Sequence, residues 1–431
     1  MLIDRVLDRN PALIDAAVRL HQDGTVPPNT WLYDLDALAH NARLQADAAR
    51  ALGLTTFVMS KQYSRNPMIT TVALAQGLDK TVAVDVFGAK VMHRYGLPIG
   101  HVGHLNQVPK RDVGRVLDMR PDFITVYSLE AARRISETAR EKGLTQDLLV
   151  RVYRPGDVFF PGQEGGFRAA ELIDAAREIQ RLPNVRIVGV TSFPCLSYNF
   201  ADSREPVRFN PNLETILDAA RRLEQELGID VTVVNTPGNT SLRTFPMLKE
   251  AGSTHVEPGH GLHGTTPSQI TEPDHPEIPT YVYVSEISHH YEGRAYAFAG
   301  GLWTMMAKFL DPNWPIGVLA GSDPAITRHN RLDYEHIDQI IDYHISLLPG
   351  DRCRIGDTIV FPMYSQTQMT RSYVAAVSGV STGDLTVWGI FDHATTMLDD
   401  NHDPVPPAEV KALMAELAAL YAPLRTALVP G

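Results

Sequence analysis

Between Asp34 and about residue 275 the chain alternates strand-like and helix-like segments, and this alternation limits its fold more than any other feature. Such alternation is the sequence form of the βα unit, whose strands run parallel because a crossover helix separates them. The strand signals are Thr55–Ser60, Thr81–Val84, His101–Leu105, Phe123–Tyr127, Leu148–Val152, Ile187–Thr191, Val231–Val234 and Thr254–Val256. Helical cues lie between them. Asp36 through Ala51 is amphipathic, Ala89–Tyr95 turns helical, and Ser128 stands before Leu129-Glu130-Ala131-Ala132 as an N-cap. Eight such units in about 220 residues predict a closed (β/α)8 TIM barrel in an α/β protein, rather than an open doubly wound sheet.

After Pro267 the pattern changes. Thr280–Ser285, Ala295–Ala299, Thr358–Pro362, Ser372–Val377 and Leu385–Ile390 are strand-like with little helix between them, and Ala408–Tyr421 closes as a helix. The expected organisation is a barrel over residues 36–275 and a second, mostly β domain over 276–431. Clusters of Pro and Gly around 311–325 and 349–356 predict long loops in that second domain.

The 431 residues carry a net charge of -11 and scatter their lysines and arginines. Nucleic acid and acidic membrane surfaces both need clustered positive charge, so a small molecule is the expected partner. Cys195 and Cys353 are the two cysteines, a usage that fits a reducing compartment and offers no disulfide framework. Charged residues interrupt the apolar N-terminus and no apolar stretch reaches spanning length, so the expected location is the cytoplasm.

The chemistry starts from Lys61. It ends the run Thr55-Thr56-Phe57-Val58-Met59-Ser60, which is bounded by Gly53 and by Asn66-Pro67. The run reads as a buried strand delivering a lysine to the C-terminal barrel face, where barrel enzymes carry their chemistry. A lone lysine after a strand is ordinarily a surface residue, so its reading depends on the rest of the chain. Two loops add to it: Asn235-Thr236-Pro237-Gly238-Asn239-Thr240 after the seventh strand, and Val256-Glu257-Pro258-Gly259-His260-Gly261 at the end of the eighth. Glycines there let backbone amides approach an anion closely.

A barrel whose first strand ends in lysine, followed by a β domain, resembles the fold type III pyridoxal-phosphate enzymes. That superfamily includes alanine racemase, ornithine and diaminopimelate decarboxylases, and the D-threonine aldolase and D-serine dehydratase branch. The resemblance spans nearly the whole chain and is strongest to the YhfX-like group of predicted amino-acid racemases. By this analogy residues 1–35, with Thr30–Tyr33 as a strand, belong to the β domain and make it discontinuous. The resemblance implies pyridoxal 5'-phosphate on Lys61 as a Schiff base, with Asn235, Thr236, Gly238, Asn239, Gly259, His260 and Gly261 around the phosphate side. Glu257 then falls at the pyridine nitrogen, where a carboxylate favours the protonated ring. Alanine racemase has arginine at this place; glutamate is decarboxylase-like. Asp85 matches an acidic residue at the second strand end, and Arg151, preferred over Arg154, matches an arginine near the ring hydroxyl. At the sixth strand end, where relatives stack a histidine on the ring, this chain has Ser192-Phe193.

The resemblance assigns further residues to the second domain. Tyr296 falls near the racemase's catalytic tyrosine, which acts across a dimer interface, with Tyr291 as competitor and His289, His290 and Arg294 as cationic neighbours. The segment through Phe361-Pro362-Met363-Tyr364-Ser365-Gln366 resembles the metal-ligand segment of D-serine dehydratase and D-threonine aldolase, with Tyr364 and Gln366 at the ligand places. Neither is a good zinc ligand, so no metal is expected. Tyr364, Gln366 and Arg371 instead suit a substrate carboxylate or proton donation. Asp392-His393 reads as a buried, hydrogen-bonded histidine. The expectation is a homodimeric amino-acid racemase or epimerase with Lys61 and Tyr296 on opposite faces of Cα. Decarboxylation, a metal-independent aldolase or lyase, a non-catalytic cofactor carrier and a cofactor-free phosphosugar barrel are the alternatives.

Overall fold

A computed structural model of the chain describes residues 2–198, 207–272, 274–300, 317–335, 343–361 and 371–422. The chain opens with α1 (Leu2–Arg9), α2 (Pro11–Gln22), β1 (Thr30–Asp34) and α3 (Leu35–Leu52). Next come β2 (Thr55–Met59), α4 (Pro67–Ala75), β3 (Lys80–Ala83), α5 (Val86–Tyr95), β4 (Ile99–Val102), α6 (Val113–Asp118), β5 (Phe123–Val126) and α7 (Leu129–Glu141). They are followed by β6 (Gln146–Tyr153), β7 (Phe167–Arg168), α8 (Leu172–Gln180), β8 (Val185–Thr191), β9 (Leu196–Tyr198), β10 (Val207–Phe209), α9 (Pro211–Leu227), β11 (Val233–Asn235), α10 (Phe245–Glu250), β12 (His255–Val256) and α11 (Pro267–Thr271).

The strands β2, β3, β4, β5, β6, β8, β11 and β12 pair in parallel, and β12 pairs back onto β2, so the sheet closes as the alternation predicts. Phe57, Met59, Val82, Phe123, Leu149 and Val233 fill the inside. Two glycines make that filling possible. A Cβ on Gly100 would lie 2.4 Å from the Phe57 ring, and one on Gly189 would lie 2.0 Å from the Val233 carbonyl. Ser128 caps α7 through Ala131 N–H, as its place in the sequence implies.

The second unit contains β13 (Tyr281–Tyr291), β14 (Arg294–Phe298), β15 (Gly317–Gly321), α12 (Pro324–Thr327), β16 (Arg331–Tyr334), β17 (His344–Leu348), β18 (Thr358–Phe361), β19 (Tyr373–Ser378), β20 (Thr386–Phe391), β21 (Met397–Leu398) and α13 (Pro407–Tyr421). Its sheet order is β14-β17-β16-β15-β18-β13-β1-β19-β20-β21, with β14 also pairing β13. β1 lies between β13 and β19, which is why the N-terminal residues join this unit although about 250 residues separate Asp34 from Tyr281. The compact units are the residues to Ala46, Asn66–Leu78 and those from Ile278 onward on one side, and Asp47–Arg65 with Asp79–Glu277 on the other.

Several expectations are corrected. Within the span read as a long loop around 311–325, Gly317–Gly321 is a fully buried strand. β16 and β17 went unread, and α1 and α2 precede the single strand read in residues 1–35. Those helices pack Ile3, Val6, Leu13, Ile14 and Val18 on Leu32, Val282 and Val360, an apolar face that needed a sheet beneath it. His393 is exposed rather than buried, and Asp392 accepts the amides of Ala394 and Thr396 instead. Both cysteines are free and buried. Among the described residues no helix is long and apolar enough to cross a membrane.

Candidate active site

One register relation builds the site. Side chains along a strand alternate faces, so a residue two positions beyond a barrel-filling one points into the barrel mouth. Phe123 is followed in this way by Thr125, Leu149 by Arg151 and Val233 by Asn235, and Met59 by Lys61 at the next turn. Arg151, Thr191 and Asn235 are level on β6, β8 and β11. Lys61 lies in a 3-10 turn, Ser60–Tyr63, directly after β2. The residue as a whole is half-buried, yet protein atoms crowd its amine. That burial pulls the amine down to about 8, against the opposing charge of Glu257.

Glu257 follows β12 and is buried. Its Oε1 takes two contacts, His101 Nδ1 at 2.6 Å and Asn235 Nδ2 at 3.1 Å. Asn235 Nδ2 also donates to Thr191 Oγ1 at 3.2 Å, and His101 Nε2 lies 2.6 Å from Thr125 Oγ1. Burial alone would raise this carboxyl. The neighbouring His104 and His101, with the hydrogen bonds from His101 and Asn235, reverse that and hold it at about 2. Burial holds His104 itself at about 3, hence neutral at pH 7, so the working stabilisation of the carboxylate comes from His101 and Asn235. An ionised carboxylate only accepts, so His101 Nδ1 carries the proton toward it.

Glu257 Oε2 has no hydrogen bond, and His104 Nδ1 lies 3.3 Å from it without hydrogen-bond geometry. Both ring nitrogens of buried His104 lack hydrogen-bond partners among the described residues. His101, His104 and Glu257 bring ligand-type atoms within 4.8 Å of one another. A metal is poorly served there, because Thr125 and Glu257 engage both nitrogens of His101, and two residues do not make a coordination shell.

The loops after β11 and β12 touch. A Cβ on Gly261 would lie 1.8 Å from the Thr240 carbonyl oxygen, so this crossing requires glycine. Gly238 has φ 125°, and a Cβ on Gly259 would lie 2.9 Å from the Gln62 side chain beside Lys61. At the crossing, Thr240 Oγ1 and Ser241 Oγ are buried without hydrogen-bond partners among the described residues. Glu277 braces the loop by accepting Leu242 N–H at 2.8 Å, and His275 lies 2.8 Å from the same carboxylate. Unused hydroxyls, close-approach glycines, a lysine and a free carboxylate oxygen fit the phosphate, aldehyde and ring nitrogen of pyridoxal phosphate.

The remaining sequence candidates are distributed as follows. Arg151, buried, donates to Tyr127 Oη at 2.5 Å and to Gln163 O at 2.6 Å, while Arg154 lies beyond β6 in an exposed pair with Glu214. Ser192 Oγ accepts from Asn212, and Phe193 meets the edge of His104 at 5.4 Å. Thr236 has its hydroxyl on Ser253 and its amide on His255 O, which leaves little of it for an anion. Asn239 takes a left-handed φ of 43° and donates to Leu196 O; His260 opens a 3-10 turn. Asp85 caps α5, accepting Gly88 N–H at 2.7 Å.

In the β unit, Tyr296 stacks on His289 at 4.8 Å and 3°, and Tyr291 is 59% exposed. Arg294 is engaged bidentately by Glu335, so its charge is not free for Tyr296. Arg371 lies over the Tyr343 ring, and its amide bonds Gly300 O. Tyr364 and Gln366 lie outside the described residues.

His101, His104, Thr125 and Ser241 escaped the sequence reading, and Thr240 was quoted in its loop without being given a role. His101 and His104 were absorbed into a supposed strand, His101–Leu105, but β4 ends at Val102 and Gly103 (φ 83°) turns the chain back. The spacing His101-x-x-His104 at a strand end was the available signal.

Residues 33–267 match the family described as alanine racemase, N-terminal domain, and residues 282–387 match the YhfX-like C-terminal domain. The chain is 36% identical over 396 residues to the protein YhfX of Escherichia coli (strain K12), covering 91% of this chain and 98% of that one. Among solved structures it is similar to D-threonine aldolase from Filomicrobium marinum, with TM-score 0.61, 18% identity, and 86% and 96% of the two chains covered. It is also similar to alanine racemase of Clostridium difficile 630 in complex with cycloserine (TM-score 0.57, 17% identity, 86% and 99%). A third is D-threo-3-hydroxyaspartate dehydratase from Delftia sp. HT23 (0.61, 15%, 85% and 97%). At these identities the structures establish the shared fold alone.

Proposed function

Because the chain belongs to the alanine racemase N-terminal domain family, a family of pyridoxal-phosphate enzymes, we propose that it acts at Cα of an amino acid as a racemase or epimerase. The observation that carries the chemistry at Cα is the pairing of Lys61, its amine held near 8, with an ionised Glu257 whose Oε2 makes no hydrogen bond among the described residues; racemisation over decarboxylation rests on Tyr296 in the second domain. Bound pyridoxal phosphate supplies an aldehyde for the amine and a ring that draws electrons from Cα. Lys61 would hold the aldehyde and serve as a base on one face of Cα; near 8, it is partly neutral at physiological pH. Glu257, held ionised by His101 and Asn235, would place a negative charge toward the ring nitrogen. Thr240, Ser241 and the Gly238, Gly259 and Gly261 backbone would hold the phosphate, and Arg151 with Tyr127 would hold the ring hydroxyl. Tyr296 is the acid on the opposite face. It would come from a second copy of the chain, so the working form is a homodimer. The free, buried cysteines support a reducing compartment such as the cytoplasm.

The test is incubation of cofactor-loaded protein with single L- and D-amino acids in deuterium oxide. Cα exchange with inversion is expected. Amine formation would identify a decarboxylase, the reading that a glutamate at position 257 favours. A protein that shows no yellow chromophore after saturation with the cofactor, or no exchange with any amino acid, overturns the proposal. Mass photometry that finds only fully active monomers removes the dimer.

A further inference from the structure

Arg65 stands out among the charged residues of the barrel unit. It lies four residues after Lys61, is 7% exposed, and follows Ser64 in the left-handed region, with φ 54° and 61° for the two. Its amide bonds Ser60 O at 2.8 Å, closing the turn that carries Lys61. This double turn carries the side chain toward β3. There Cζ lies over the Phe87 ring at 4.8 Å, and Cδ approaches Gly88 closely enough that a Cβ there would lie 3.6 Å away. The guanidinium makes no hydrogen bond among the described residues, and its Nε is shielded from solvent. Asp85 acts on it by charge without forming an ion pair, because Asp85 Oδ1 is committed to capping α5 at Gly88 N–H.

Three physical terms are left unbalanced. A buried guanidinium without acceptors forfeits its solvation. It sits against the first turn of α5, whose positive end repels a cation. Phe87, on the same turn, leaves 51% of its surface exposed beside it. An incoming carboxylate corrects the first two, since a planar fork of donors matches it bidentately and the helix end favours its charge, and the apolar part of an amino acid covers the third. The sheet order β11-β12-β2-β3 sets this cation on the other side of the Lys61 strand from the phosphate-side loops. A cofactor phosphate held at β11 and β12 therefore leaves it to another anion.

We propose that Arg65, with the first turn of α5 and Phe87 beside it, binds a carboxylate of the amino-acid substrate. This rests on the reading of Lys61 as the cofactor-bonding amine.

The experiment compares wild type with Arg65→Met, Arg65→Gln and Arg65→Lys in the cofactor-loaded full chain. An amino acid that undergoes Cα exchange, its amide, and aspartate are titrated by calorimetry and by the visible band. Loss of Arg65 is expected to weaken carboxylate-bearing ligands about 10- to 100-fold, with Arg65→Lys restoring part. The amide and the cofactor itself are expected to bind as in wild type. Arg65→Met should melt no lower than wild type, because a cation without hydrogen bonds is removed, whereas a structural arginine would cost stability. Loss confined to aspartate identifies a side-chain carboxylate and loss with every amino acid the α-carboxylate; either supports the site. Unchanged carboxylate affinity, or equal loss for acid and amide, overturns it. If wild type takes up no cofactor, the reading of Lys61 has failed, and succinate on the cofactor-free protein decides the anion site. Stabilisation of wild type but not of Arg65→Met keeps it, and equal behaviour overturns it.

Discussion

The barrel mouth and the β13–β14 face of the β unit present the same residue types in opposite conditions. His101, His104, Arg65 and Glu257 are buried at the mouth, and some of their polar atoms have no partner. On β13 and β14, His289 and Tyr291 are exposed, Tyr296 stacks on His289, and Arg294 is neutralised by Glu335. Burial separates the two sets. It moves the amine of Lys61 and the imidazole of His104 well away from their ordinary values, and it leaves donors and acceptors that only a ligand completes. An exposed histidine beside an exposed tyrosine needs a second surface to gain the same properties.

The comparison is broken most directly at Lys61. Lys61→Ala should lower turnover by about 10^3-fold or more and abolish the visible band, while Tyr296→Phe leaves that band intact. Full activity in Lys61→Ala would put the chemistry elsewhere. Glu257→Gln comes next, with an expected loss of about 10^2-fold, or ~3 kcal/mol. It also removes the charge that raises Lys61, so the amine should titrate below about 8, read from the pH dependence of amine labelling in the cofactor-free protein. Tyr296→Phe should slow inversion about 10-fold or more while Cα exchange from the Lys61 face persists, read by NMR in deuterium oxide.

A pH series sharpens the contrast without mutation. In the barrel unit burial depresses His104 and His263 to about 3 and His255 to about 4, against 6.5 when unfolded. Below pH 6.5 the unfolded chain binds protons that the folded barrel refuses, so stability falls as pH drops from 6.5 toward 4. Each histidine contributes roughly 1 kcal/mol per pH unit. Glu257 adds the same sign below 4.5. Asp34 in the β unit runs the other way. Burial raises it to about 6, so its stability contribution is present at low pH and is lost as pH rises from about 4 to 6. Hydrogen exchange between pH 7 and 4.5 should show barrel amides losing protection first; uniform loss would contradict this. The smallest effect expected is in Thr240→Ala or Ser241→Ala, each weakening cofactor binding about 10-fold by loss of one hydroxyl contact, read as a dissociation constant.

Legibility followed the range of each signal. Thr55–Met59, Phe123–Val126 and Val185–Thr191 were readable because a short apolar run between breakers is a local pattern, and Lys61 and Glu257 were readable because they end such runs. Gly317–Gly321 was not, since glycine and flanking proline hide a strand whose five residues are buried by β16 and β18. His101 was taken for strand filling, because nothing within several residues reveals that Glu257, 156 positions on, accepts its proton.

By itself the amino-acid order determined the succession of βα units, the change to strands after the barrel, and the lysine and glutamate at two strand ends, because periodicity and breakers act over a few residues. Tertiary structure alone decided which polar groups lack hydrogen bonds among the described residues: Oε2 of Glu257, the hydroxyls of Thr240 and Ser241, and Nε of Arg65. A group lacks a partner, or is driven from its ordinary charge, through neighbours that barrel closure brings from distant parts of the chain, and no local pattern encodes that.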